Sequence, residues 1–258
     1  MSEIDPQVLA DIRRAAFELR LTDPGEAVRV LRRLAALGGG AEVLARGALG
    51  EIYLEEFSDL DGAEHEFRAV LRAVPGLPAA ELGLARVLHE TGDRRGELDA
   101  LGRAIAGLSR DIAGFREAAA AGETLPDGAE EVVLTLLEIV VERARLDSGT
   151  RIDEDLLRWA AEQRLFDALD AEDVAPHEDW VRFHALWSQF RQLTGRAAEA
   201  PQSLADAEAA GQLPPRDAAA LRRDALEAAG DPAGAAAESK RLAALESATA
   251  LVPLGVKN

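Results

Sequence analysis

Cysteine is absent from the 258-residue chain, so no disulfide and no thiolate metal site can form. Lysine occurs only at Lys240 and Lys257 and asparagine only at Asn258, which leaves arginine as nearly the whole basic complement. Aromatic residues make up only 4% of the chain, so its apolar content is mostly alanine and leucine. No apolar run approaches the roughly 18 residues that a membrane-crossing helix needs, and a membrane partner is not expected. Long alternating runs of β-branched residues are missing too, which removes the usual signal for strands. The N-terminal MSEIDPQVLADIRR has no basic stretch followed by an apolar one, so no secretory leader is expected and the chain is assigned to the cytoplasm.

What is present favours helices. Hydrophobic residues reach 48%, and alanine and leucine lose little conformational freedom in a helix. An all-α fold follows. The net charge of −18 and the pI near 4.7 are spread evenly over both halves of the chain rather than gathered in a tail. With this much apolar content the charge reads as an acidic, solvated surface and not as disorder. Such a field repels nucleic acid and suits a basic protein or peptide.

Turn signals divide the chain at regular intervals. Asp23-Pro24-Gly25, Asp59-Leu60-Asp61-Gly62 and Gly92-Asp93 lie about 32–37 residues apart, as do Gly195-Arg196 and Gly230-Asp231-Pro232. The interval from Gly92 to Gly195 is close to three such periods, with a weaker turn at Pro126-Asp127-Gly128. Each turn joins two amphipathic segments. AAELGLARVLHET precedes Gly92, and RRGELDALGRAIAGL follows it with Leu98, Leu101, Ile105 and Leu108 at helical spacing. Glycine ends the first segment by accepting a positive φ, and the Asp after it caps the next.

Residues 43–76 carry Leu49-Gly50, Tyr53, Ala63, Phe67, Val70 and Pro75, and residues 78–109 carry Leu84-Ala85, Leu88, Gly92-Asp93, Leu101 and Ala104. Residues 8–39, 181–214 and 216–249 repeat parts of the pattern, including Ala15, Ala27, Trp187-Ser188, Ala200, Ala235 and Leu242. This pattern resembles the tetratricopeptide repeat in degenerate form, over about 1–109 and 181–249. Glu97 and Ser109 stand where that family usually has Ala and Pro. The resemblance implies a TPR-like α-solenoid of about twelve helices in antiparallel pairs. It divides the chain into N-terminal repeats at 1–109, an apolar helical middle at 110–175 with GAEEVVLTLLEIVVERARL as its most apolar segment, and C-terminal repeats with a capping helix and tail at 176–258.

The same resemblance implies an interaction module rather than an enzyme: a scaffold that binds a protein segment in a concave groove lined by the first helix of each pair. Carried over by phase, that face holds Arg13, Arg20, Glu51, Arg86, His89, Arg182, Gln189 and Gln192. Its arginines suit a carboxylate-bearing segment, while the overall charge suits a basic one. Trp180, Phe183, Trp187 and Phe190 form one helical stripe. Packing between helices explains the stripe, but Trp180, near the helix start, is expected to be exposed as an aromatic anchor for a partner. His177 and His184 lie seven apart, about 10 Å along a helix, too far to chelate one metal together. No cofactor, metal site or catalytic set is expected. The alternatives are a subunit that self-associates as a homo-oligomer through the middle helices or the apolar tail SATALVPLGVKN and, last, a helical enzyme with a site around His177–Phe190.

Overall fold

The structure is a computed structural model and describes residues 4–162 and 177–250. The described residues are helical and carry no strand. Helix α1 covers residues 6–22 and contains a π-helical turn at Arg14–Leu19. It is followed by α2 (Pro24–Ala35), α3 (Gly39–Glu55), α4 (Leu60–Ala73), α5 (Pro78–Glu90) and α6 (Arg94–Ala120). Then come α7 (Ala129–Leu146), α8 (Glu154–Glu162), α9 (His177–Leu193), α10 (Ala200–Ala209), α11 (Pro215–Ala228) and α12 (Pro232–Ala250). The chain forms two compact units, Met1–Arg110 and Asp111–Asn258, and the division falls inside α6.

The helix ends follow from the turn chemistry. Gly92, Gly195 and Gly230 all adopt φ +77, a left-handed conformation that stops a helix without a Cβ penalty. At the start of the next helix an aspartate accepts from a backbone N–H three residues on: Asp59 from Gly62, Asp93 from Gly96 and Asp231 from Gly234. Helix α6 runs well past the segment expected from its amphipathic pattern. No proline follows Leu108 to stop it, and Ser109 stands in its place.

In the N-terminal unit each helix packs on the next from α1 to α5, and the alternate helices α1, α3 and α5 also touch one another. The core turns on one ring. Phe67 of α4 is 1% exposed and lies against Gly50 of α3 and Gly83 of α5. A Cβ at Gly50 would stand 2.7 Å from the ring, and one at Gly83 would come closer still. Glycine at these two places is what lets α4 sit against both neighbours at once. Val43, Val70 and Ala80 extend this core.

In the C-terminal unit α9 packs on α7, α10 on α11, and α11 on α12. Helix α7 is apolar nearly all round, with Val133, Leu134, Leu136, Leu137 and Val140 buried, as expected of a helix enclosed by protein. A second small core joins Ala200, Leu204, Ala207, Leu213, Ala218 and Ala225 of α10, α11 and the turn between them. The end of the segment after Trp159, including Phe166, and the tail at 251–258 lie outside the described residues.

Candidate interaction groove

Helices α1, α3 and α5 are the first members of successive pairs, and their facing residues meet one repeat apart. Arg20 of α1 bonds to Glu55 and, at 2.7 Å, to Glu56. Arg86 of α5 donates to Glu51 at 2.8 Å and to Glu55 at 2.5 Å. The pairs Arg20–Glu55 and Glu51–Arg86 are both 35 residues apart in sequence. Glu55 therefore bridges α1 and α5 across α3. Of the residues expected to line the groove, Arg20, Glu51 and Arg86 come together here. Glu55 and Glu56 complete the cluster and were missing from the sequence-based set. Their signal was present, because an acid stands one repeat from Arg20 just as Arg86 stands one repeat from Glu51.

The electrostatics of the cluster are uneven. Hydrogen bonds from Arg86, then from Arg20, hold the Glu55 carboxyl below its ordinary range, although burial opposes them. Glu51 moves the other way. Burial raises it, and the nearby Glu55 adds to the rise, so that Arg86 only partly compensates. The hydrogen bond from Glu56 is the main cause of the raised Arg20 pKa. Three carboxylates share two arginines, and the cluster is net acidic.

The remaining groove candidates do not join it. Arg13 is exposed, and no carboxylate pairs with it among the described residues. His89 places Nδ1 3.0 Å from Oε1 of Glu97, a carboxylate that is itself buried at the start of α6. This gives Glu97 a use at the position where the repeat pattern has alanine. Arg182, Gln189 and Gln192 lie on α9 in the other unit. Arg182 donates to Glu138 of α7 at 2.6 Å, Gln192 donates to Ser188 Oγ at 3.4 Å, and Gln189 is half-buried.

The aromatic stripe of α9 is interior. Trp180, expected to be exposed, is 2% exposed, which corrects that expectation. Its ring stacks on His184 at 5.7 Å and meets Phe183 edge-on at 6.0 Å. Being near the helix start gave no exposure, because three neighbouring rings of one stripe bury one another. Phe183 and Trp187 pack edge-on at 5.4 Å, and the Arg191 guanidinium covers Trp187 at 4.5 Å. His184 Nε2 lies 3.0 Å from Gln212 Oε1, and burial pushes its pKa down to about 4. The recess beside it has no room for a water molecule. Among the described residues no group of three or more His, Asp or Glu side chains is placed to hold a metal ion, and no helix is long and apolar enough to cross a membrane.

No family model and no curated protein matches the chain. Among solved structures it resembles one described as Assembly Chaperone of RpL4 (Acl4), residues 1–338, with a TM-score of 0.52 over 95% of this chain and 91% of that one. The fold is an all-α solenoid. At 18% identity the likeness extends to the fold alone.

Proposed function

We propose that the protein is a non-catalytic scaffold built from degenerate tetratricopeptide-type repeats, and that it holds a basic segment of another protein against the faces of α1, α3 and α5. The observation that carries this reading is the net-acidic cluster of Glu51, Glu55 and Glu56, in which Arg20 and Arg86 already spend their donors on carboxylates. A carboxylate-bearing segment would have to displace those bonds. A lysine- or arginine-rich segment meets a surplus acceptor instead, on a chain of net charge −18. The structural neighbour is by its title an assembly chaperone of another protein, which agrees with a scaffold role. The enzyme alternative loses support at His184, which is enclosed by rings and sits beside a recess too small for a substrate.

The reading is tested by crosslinking the full chain in a cytosolic extract of its source and identifying the captured proteins and the linked positions. Captured segments should be basic, map to α1, α3 and α5, and dissociate as salt rises. Glu51→Arg combined with Glu55→Arg should abolish their capture, whereas Arg182→Glu, in the other unit, should not. Capture that is indifferent to the first variant would sink the proposal.

A further inference from the structure

Helix α1 has two apolar faces. One, with Ile12 and Ala15, is buried in the N-terminal unit. The other is bare. Phe17 is 70% exposed and Leu21 is 82% exposed, the two most exposed large apolar side chains described. The repeat shows what this face lacks. At the 35-residue spacing fixed by the Arg20–Glu55 and Glu51–Arg86 pairs, the positions matching Phe17 are Ile52 and Val87, and both are 0% exposed. In the second and third repeats the Phe17 position is covered by protein, while the Leu21 position holds the exposed polar residues Glu56 and Thr91. In the first the face borders a hollow of about 480 Å³ lined by Pro6, Leu9, Ala10, Arg13, Arg14, Phe17 and Glu18.

We infer that this face pairs with the same face of a second copy of the chain, the two α1 helices crossing antiparallel about a two-fold axis near Ala16. The charge pattern selects this occupant. Arg14 and Glu18 lie one turn apart on the same flank of the stripe, and neither has an ion-pair partner among the described residues. In an antiparallel two-fold arrangement like flanks meet. An axis at the level of residue 16 sets each Arg14 opposite the other copy's Glu18, forming two ion pairs. It also lays the two Phe17 rings side by side and brings each Leu21 level with Asp11 of the other copy, next to the small Ala10 at the mouth of the hollow. The chain's acidity does not forbid this approach, because arginines outnumber carboxylates two to one in α1 and α2. A single helix pair buries less than the ~1,200 Å² of a small stable interface, so the dimer belongs to the weak, reversible class. This inference does not rest on the proposed binding of a basic segment.

Sedimentation velocity on the full chain from ~1 to ~200 µM, the range in which a weak dimer forms, tests it. The weight-average mass should rise from 27.5 kDa toward twice that value. Phe17→Glu, at an exposed position that leaves the fold intact by far-UV circular dichroism, should raise the dissociation constant by ~30-fold or more. Arg14→Glu and Glu18→Arg should each weaken it by ~5-fold, and the double variant should return it to within ~2-fold of the parent. A mass fixed at the monomer value overturns the inference, and so does a dimer unaffected by Phe17→Glu. Failure of the double variant to recover overturns the antiparallel register.

Discussion

The two units solve the same packing problem with opposite residues. In the N-terminal unit one phenylalanine fills the space between helices because its neighbours, Gly50 and Gly83, have no side chain at all. In the C-terminal unit α9 brings its own rings, Trp180, Phe183, Trp187 and Phe190, and they fill space against one another and against the leucines and valines of α7. The first solution depends on backbone proximity and leaves the facing side chains of α1, α3 and α5 free for the charge ladder from Arg20 to Arg86. The second spends a whole helix on filling volume, and His184 is captured inside. The comparison teaches that in the N-terminal unit small residues set the helix spacing behind a regular charged face.

Removing the ring separates the two solutions most sharply. Phe67→Ala should destabilise the N-terminal unit by about 3–5 kcal/mol, because the glycines around it cannot refill the space. Phe183→Ala should cost less, because three other rings remain to close the gap. Urea unfolding followed by hydrogen exchange measured along α3–α5 and α7–α9 would place each loss. Equal losses would break the comparison. Crowding the ring is the next effect in size. Gly83→Ala should cost about 1–3 kcal/mol through overpacking, and Phe67→Leu made in the same chain should recover part of it.

The C-terminal unit carries a pH dependence through His184. His184 titrates at about 4 in the folded chain and at 6.5 when unfolded. The unfolded chain therefore binds the extra proton between those values. The stabilisation is full above pH 6.5 and is lost as pH falls toward 4. Between pH 7.5 and 5 the loss should be about 2 kcal/mol, read as a drop in the unfolding midpoint that His184→Phe flattens. The smallest effect concerns the ladder. Arg86 is 46% exposed, so Arg86→Ala should cost no more than about 1 kcal/mol and less at high salt, while the folded state keeps its helix content.

Much of this was legible in the chain. The Gly-Asp turns at Gly92 and Gly230 fixed helix ends that the left-handed glycines and capping aspartates now account for, and α7 stood out as the most apolar segment of the chain. What escaped was set by contacts between distant residues. Trp180 reads as an exposed anchor while its helix is considered alone, and becomes interior once Phe183 meets it edge-on and His184 stacks on it. Arg20 and Arg86 read as open cations until Glu55 and Glu51, respectively, are seen one repeat away. The bare Phe17 was invisible for the same reason, since exposure is a property of neighbours and α1 looks as amphipathic as any other helix.

The aspartate caps have a consequence for reading other chains. At Asp59, Asp93 and Asp231 the carboxylate lies so close to the residue three places on that a side chain there would collide with it, and each time that residue is glycine: Gly62, Gly96 and Gly234. The glycine is not required for the cap, since Asp23 accepts from the backbone N–H of Glu26 in the same way, and Asp-Xaa-Xaa-Gly also occurs inside α6 at residues 99–102 and 111–114. What sets the three caps apart is the left-handed residue just before each aspartate, Ser58, Gly92 and Gly230, so the punctuation lies in the turn and the cap read together.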